Sequence, residues 1–216
     1  MAIARFKDLC LDAVDPARLG PFWAAVLGRT WDAEDEAVNG PTPRHRIWIN
    51  QVPEPKTVKH RVHLDVYTSE LADLEALGAT IFAPQRAWTV MRDVEGGEFC
   101  AFLRAELPAE RLHGLVVDCA DPEALAQWWS GVYGVPVTRN DGWLTLEDVP
   151  GMPIQTMDFV PVPEPKTVKN RVHWDVTVPA VAPLVDAGAT VLREPDDEIY
   201  WTVLADPEGN EFCAFT

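Results

Sequence analysis

The segment VPEPKTVKHRVHLDV, Val52–Val66, returns later in the chain as VPEPKTVKNRVHWDV, Val162–Val176. The two copies differ only at His60/Asn170 and at Leu64/Trp174. Chance does not reproduce a match of this length, so the sequence contains an internal duplication and its halves can be compared with each other. Positions where the copies agree mark residues that the fold or a shared task can require.

The duplication divides the chain of 216 residues into two domains, residues 1–105 and 106–216. The boundary falls within Arg104–Glu110, a segment that is charged and contains proline, as linkers often do. With 47% hydrophobic residues, each half can bury a core of its own.

The net charge of −16 argues against nucleic acid or an anionic membrane surface as a partner, because both require a basic face. No segment approaches the roughly 20 apolar residues of a membrane-spanning helix, and the opening MAIARFKDLC lacks the apolar core of a signal peptide. The four cysteines show no metal-finger spacing and are expected to be free thiols in a reducing compartment. These features predict a cytoplasmic protein.

Each half shows, twice over, a strand, a helix and two or three further strands. The long helices are expected to begin at Asp15-Pro16 and Asp121-Pro122 and to end at Gly28 and Gly134. Gly20-Pro21 inside the first helix predicts a kink or a late start. The pattern predicts an α+β fold of four βαβββ modules, with curved mixed sheets around a cavity and helices on the outside.

Several motifs recur in the same order in both halves. They are an Asp-Pro helix that ends in Phe-Trp…Leu-Gly (Asp15–Gly28) or Trp-Trp…Tyr-Gly, Arg-Val-His-x-Asp-Val, Leu-x-x-Leu-Gly-Ala-Thr (Leu74–Thr80), and Asp-Pro-Glu-Gly-Asn-Glu-Phe-Cys (Asp206–Cys213). On these motifs the chain resembles the vicinal oxygen chelate superfamily, which includes glyoxalase I, extradiol dioxygenases, and fosfomycin- and bleomycin-resistance proteins. More narrowly, it resembles a tandem of two glyoxalase-like domains. The resemblance leaves the reaction open, because one fold hosts many functions.

In metal-dependent members of that superfamily, each site takes a ligand from the first, fourth, fifth and eighth strands. The resemblance places the fifth-strand histidine on His63 and His173, which match, and the eighth-strand glutamate on Cys100 and Cys213, which do not. The other two ligands fall near less suitable residues: Asp8, His113 or Gly114 for the first strand, and Asn50, Asp158 or Val160 for the fourth.

Only the histidine is kept in both halves, so we expect no tightly held metal. Asp8, His63 and Cys100 would be three ligands in the first half, whereas the first-strand position is empty in the second. A divalent metal on these residues or on His173 and Cys213 is the alternative.

Strand alternation places Arg61, His63 and Asp65 on one face, opposite the helix-packed face. One interpretation is a structural network in which Asp12 and Asp65 pair with Arg61. The other is a ligand site, in which Cys100 is either a small buried residue or a thiol activated by a neighbouring cation. Both interpretations apply equally to the second copy, at Arg171, His173, Asp175 and Cys213.

Nine tryptophans are present, and those on helices are expected in the core. Trp48, Trp88, Trp143 and Trp201 lie on predicted strands and are expected to line an apolar pocket for a planar or bulky organic molecule. Trp174 faces the helix side by alternation.

The PEPKTVK loops add four lysines, which are either solvated loop charges or groups that meet an anionic part of a ligand: Lys56, Lys59, Lys166 and Lys169.

The sequence therefore predicts a protein that binds, and can modify, a small apolar or aromatic molecule. The expected contacts are Trp48, Arg61, His63, Asp65, Trp88, Cys100, Trp143, Arg171, His173, Asp175, Trp201 and Cys213. The alternative is a divalent-metal-dependent lyase, isomerase or dioxygenase. Because the halves are fused, a monomer would suffice, and a homodimer is also compatible. The divergence of Arg29–Asn50 from Val135–Val160 suggests that only one half keeps a working pocket.

Overall fold

A computed structural model describes residues 2–216, which form sixteen strands and four α-helices. The first half contains β1 (Arg5–Ala13), α1 (Pro16–Leu27), β2 (Thr30–Asp32), β3 (Ala37–Asn39), β4 (Ile47–Gln51), β5 (Val62–Thr68), α2 (Leu71–Ala76), β6 (Thr80–Pro84), β7 (Thr89–Arg92) and β8 (Glu98–Leu103). The second half contains β9 (Leu112–Cys119), α3 (Pro122–Tyr133), β10 (Val137–Arg139), β11 (Leu144–Glu147), β12 (Thr156–Pro161), β13 (Val172–Thr177), α4 (Ala182–Asp186), β14 (Thr190–Arg193), β15 (Thr202–Ala205) and β16 (Glu211–Phe215). Within these residues no helix has the length and apolar character needed to cross a membrane.

Each of the two eight-stranded sheets takes strands from both halves of the chain. The terminal sheet has the order β14-β15-β16-β13-β1-β4-β3-β2, and the central sheet has the order β10-β11-β12-β9-β5-β8-β7-β6. In each sheet two modules meet through the antiparallel pairing of their first strands, β1 with β13 and β5 with β9. The predicted α+β fold of four modules in curved mixed sheets is confirmed, and its modules are exchanged between the halves.

The core lies between the helices and the outer faces of the sheets, as the alternation predicts. Val62, Leu64 and Val66 on β5 are at most 1% exposed. Trp174 is fully buried, and its ring centroid lies 5.0 Å from that of Trp129 on α3.

Helix α1 begins at Pro16 and continues through Pro21, so of the two alternatives, a kink or a late start, the late start is wrong. Packing explains why residue 20, just before that proline, is a glycine. A Cβ atom on Gly20 would lie 2.2 Å from the indole of Trp31, which no real contact allows. The helix therefore accepts a weak helix former so that Trp31 can lie against its backbone.

Two reciprocal ion pairs connect the sheets. Arg171, just before β13, donates to the Glu95 carboxylate at 3.0 Å, and Glu95 lies in the β7–β8 turn of the central sheet. The same carboxylate accepts the backbone N–H groups of Val14 (3.0 Å) and Asp15 (2.7 Å) at the start of α1. Arg171 also donates to the carbonyl oxygen of Glu54 at 2.6 Å.

The second ion pair repeats the first with the halves exchanged. Arg61 lies 3.6 Å from the Glu208 carboxylate, which accepts the N–H groups of Ala120 and Asp121, both at 2.7 Å. Arg61 also donates to the carbonyl oxygen of Glu164. We call these two arrangements the Arg–Glu latches. They explain why the arginine and the glutamate of the turn are present in both copies of the duplicated sequence.

The difference between the copies at His60/Asn170 also has a structural reason. A Cβ atom on Gly97 would lie 2.6 Å from both the His60 ring and the Asp93 carboxylate, so glycine suits this position beside histidine. In the second copy Asn170 donates to the side chain of Asn210 at 2.9 Å. Each copy thus has its own compatible pair at this contact.

Gly20→Ala is expected to lower the free energy of unfolding by about 1–2 kcal/mol, because the clash with Trp31 outweighs the gain in helix propensity. Urea denaturation measures this change. The control is the exposed Gly131 in α3, where an added Cβ would meet no atom within 4 Å beyond its chain neighbours and the backbone of its own helix, among the described residues. Gly131→Ala should raise stability by up to about 1 kcal/mol. Stabilisation by both substitutions would contradict the packing of Trp31 on Gly20.

Candidate functional site

Strand pairing between the halves assembles a polar cluster on the concave face of the terminal sheet. Cys10 on β1 lies opposite His173 on β13, and Asp175 lies beside Cys213 on β16. Donor atoms of Cys10, His173 and Asp175 lie within 4.8 Å of one another. The Cys10 thiol donates to Asp175 Oδ2 at 3.7 Å, and the Cys213 thiol also bonds to Asp175. We call these four residues the terminal cluster.

The central sheet carries a corresponding central cluster of His63, Asp65 and Cys100, whose donor atoms also lie within 4.8 Å of one another. His63 Nε2 lies 3.6 Å from Asp65 Oδ1. Cys100 lies beside Asp65 in the strand register, and its thiol bonds to that carboxyl group. Asp158 on β12 is near enough to raise the pKa of Asp65 further.

Burial determines the protonation states of both clusters. Desolvation by burial, with a smaller contribution from the nearby Asp158 carboxylate, raises the pKa of Asp65 to about 8. Burial raises the pKa of Asp175 to about 7. Burial lowers the pKa of His173 to about 4 and that of His63 below its usual value. Burial also raises the pKa of the thiols, that of Cys213 to about 12. The thiols are therefore protonated near neutral pH and are not activated nucleophiles.

Three buried atoms in these clusters have no hydrogen-bond partner among residues 2–216: Asp65 Oδ1, His173 Nδ1 and Asp175 Oδ1. A buried polar atom without a partner is unfavourable, so such atoms suggest a missing ligand or ion. The donor set of nitrogen, oxygen and sulfur suits a divalent transition metal such as zinc. The residues present therefore fit a metal as well as a polar ligand.

Beside each cluster lies a stacked pair of aromatic rings on the same concave face. Phe102 follows Cys100 by two residues on β8, and its ring stacks on Trp88 with centroids 5.9 Å apart and planes at 28°. In the terminal sheet Phe215 follows Cys213 by two residues and stacks on Trp201 at 5.3 Å and 26°. We call these the Trp–Phe pairs.

Each Trp–Phe pair also has a neighbour that can be cationic or polar. Lys7 Nζ lies 4.3 Å from the centroid of the Phe215 ring in the terminal sheet. In the central sheet His113 contacts the edge of Phe102 and stacks on Tyr67 at 4.7 Å.

The arrangement agrees with the comparison to known proteins. The glyoxalase-like domain family matches residues 8–102 and again residues 114–215. The chain belongs to the glyoxalase-like family.

Solved structures similar to this glyoxalase-like protein share its fold at low sequence identity. Maize glyoxalase I is 14% identical with a TM-score of 0.68, and the match covers 98% of this chain and 92% of that one. A putative dioxygenase from Bacillus subtilis is 12% identical with a TM-score of 0.68, covering 99% and 85%. The CppA protein of Streptococcus pneumoniae is 13% identical with a TM-score of 0.51, covering 98% of each chain. No curated protein matches. At these identities the similarity shows the fold alone.

One expectation for the glyoxalase-like site is wrong. Asp8, His63 and Cys100 do not form a three-ligand set, because Asp8 lies on β1 in the terminal sheet and the other two lie in the central sheet. The exchange of modules places His173, rather than His63, opposite β1. For the same reason a pocket cannot belong to one half, since each concave face draws strands from both.

The expected network around Arg61 is also wrong. Arg61 binds Glu208 and a carbonyl oxygen, whereas Asp12 pairs with Lys169 and Asp65 has an unpaired oxygen. Arg61 and Arg171 therefore act in the Arg–Glu latches, away from the polar clusters.

Two of the predicted tryptophans occupy other parts of the concave faces. Trp48 lies opposite Cys10 in the register of β1 and β4, with the Arg46 guanidinium 4.9 Å from its ring. Trp143, just before β11, is 42% exposed.

Several residues beside the clusters were not predicted as site residues. Cys10 shares the alternation of Asp8 and Asp12, and Phe102 and Phe215 share that of the two cysteines, so periodicity alone could have identified them. Lys7 gives no such signal, because the register of β1 shifts between Phe6 and Leu9.

Proposed function

We propose that each concave face of this protein binds a flat, largely apolar molecule, with its ring against the Trp–Phe pair and its polar groups toward the adjacent cluster. The observation that carries this proposal is the same stacked pair, two residues beyond the same cysteine, in both sheets. Aromatic rings favour planar ligands, and a few polar groups fix the orientation.

The surroundings of the pairs support this proposal. Trp88 is 39% exposed, so a large part of its indole surface remains free for a ligand. The thiol, imidazole and carboxyl groups of the adjacent cluster can donate and accept hydrogen bonds. We also place the protein in the cytoplasm, which its four free cysteines support.

Removing both indoles, in the double variant Trp88→Ala/Trp201→Ala, should weaken binding of an aromatic probe such as 1-naphthol about fivefold to tenfold at each face, because stacking is lost. Isothermal titration calorimetry measures the affinity. Saturated decahydro-1-naphthol, which cannot stack, is the non-aromatic comparison probe. Trp128→Ala, which removes an indole of α3 on the opposite, helix-packed side of the terminal sheet, is the control and should bind 1-naphthol normally. Equal affinity in the double variant and the control would refute the proposal.

A second candidate function is divalent-metal binding at the two clusters, favoured by the unpartnered oxygens of Asp65 and Asp175. Bound there, a metal would supply Lewis-acid activation of a ligand oxygen. The protein's own contribution would be the donor set and the aromatic surface that positions the ligand.

The two clusters differ in donor type. The terminal cluster has two thiols, from Cys10 and Cys213, whereas Val116 takes the place of Cys10 in the central sheet, opposite His63. There Asp158 adds a carboxylate instead. Thiolates select soft cations, so the terminal cluster is expected to prefer zinc or cadmium over manganese more strongly than the central cluster does.

Cys10→Val, which copies the central sheet, should weaken cadmium binding at the terminal cluster about tenfold or more, because one sulfur ligand is lost. Thiolate-to-cadmium charge-transfer absorption of the metal-free protein during titration measures this without any activity assay. Cys119→Val removes a thiol outside both clusters and is the control. An absent charge-transfer band, or one that Cys10→Val leaves unchanged, would exclude the terminal cluster as a sulfur-rich metal site.

A further inference from the structure

A cavity of about 1030 Å³ lies where the two PEPKTVK loops meet. Its lining consists of residues 52–61 and most of residues 162–171, together with Asp12 and Asp118. We call it the axial cavity. None of its lining residues belongs to a polar cluster or to a Trp–Phe pair, so it is a distinct cavity. It adjoins the terminal cluster where Asp12 Oδ1 lies 4.0 Å from His173 Nδ1.

The walls of the axial cavity are mainly apolar and come in equivalent pairs. Val52, Pro53, Pro55 and Val58 line one side, and Val162, Pro165 and Val168 line the other. Val58 and Val168 are each 42% exposed. Exposed valines facing a cavity of this size offer apolar surface that a ligand can bury.

The two loops are identical over residues 52–59 and 162–169. Packing accounts for part of this identity, because Lys56 and Lys166 pair with Glu98 and Glu211 at 3.0 Å and 2.7 Å. It does not account for Val58 and Val168, whose side chains remain exposed. A ligand that contacts both loops gives these residues a shared task.

The axial cavity also presents two exposed cations. The side chains of Lys59 and Lys169 are 59% and 56% exposed, although each contacts a buried aspartate, Asp118 or Asp12. An ammonium group has three N–H donors, so each lysine can hold its aspartate and still donate to a ligand. The arginines of the lining are occupied by the Arg–Glu latches.

We propose that the axial cavity binds a mainly apolar molecule that carries a terminal carboxylate. The valine and proline walls contact the apolar body, and Lys59 or Lys169 binds the carboxylate. The exposed carboxylates of Glu54 and Glu164 on the same lining repel an anion, so they restrict the charged end to the lysines. This site does not depend on the function proposed for the concave faces.

Isothermal titration calorimetry with decanoate, and with the neutral 1-decanol as a second probe, tests the proposal. Val58→Ser/Val168→Ser should weaken binding of both probes about tenfold, because apolar contact is lost from exposed positions that the fold does not need. The matched control is Val185→Ser, which changes a valine that is 41% exposed on α4 and lies outside the cavity. It should bind both probes as the unmodified protein does.

A second variant tests the charged end. Lys59→Met/Lys169→Met should remove the preference for decanoate over 1-decanol, and circular dichroism checks that it remains folded. Trp88→Ala/Trp201→Ala should bind decanoate normally, which separates this site from the concave faces. The proposal is overturned if decanoate does not bind, if the valine variant binds it unchanged, or if the tryptophan variant loses it.

Discussion

The arrangement of the two sheets depends on the reciprocal Arg–Glu latches. In each latch one glutamate carboxylate accepts two backbone N–H groups at the start of a long helix and contacts an arginine from the other half of the chain. All four charged side chains are at most 17% exposed. A largely buried carboxylate or guanidinium is unfavourable without its partner, so the latches favour one relative position of the sheets.

This constraint determines where chemistry can occur. Because the modules are exchanged, each concave face joins a first-strand residue from one half to the His-x-Asp strand of the other, as Cys10 meets His173. The latches fix the loops that precede those strands, and the same loops line the axial cavity. The two concave faces therefore depend on strand pairing between the halves, and the loops of the axial cavity depend on the latches.

The fold followed from the sequence because its signals are local and repeated. Alternation assigned Leu64 and Trp174 to the core and His63 to the opposite face, since side chains on a strand alternate between faces. Alternation does not predict which strand pairs with which. Duplicated modules have nearly the same pairing edges, so the pattern does not distinguish pairing within a half from exchange between halves.

For the candidate site, too, the residues could be predicted from local patterns, whereas their partners across strands could not. The predicted contacts included the histidines and aspartates of both clusters, Cys100 and Cys213, but not Cys10. The set Asp8, His63 and Cys100 failed because it assumed pairing within a half. The arginines were misassigned for a related reason, since the partners of Arg61 and Arg171 lie more than 70 residues away along the chain. Gly20-Pro21 was expected to disturb α1, because the contact of Gly20 with Trp31 is tertiary and the local sequence does not show it.

The most direct test of this account is a double-mutant cycle on Arg171 and Glu95, measured by urea denaturation. The account predicts a coupling free energy of about 2 kcal/mol or more, as for buried charge pairs. The same cycle on the exposed pair Arg139 and Glu123, whose side chains are 61% and 53% exposed, should give less than about 0.5 kcal/mol. Coupling at Arg171–Glu95 no larger than at the exposed pair would contradict the claim that the latches hold the two sheets together.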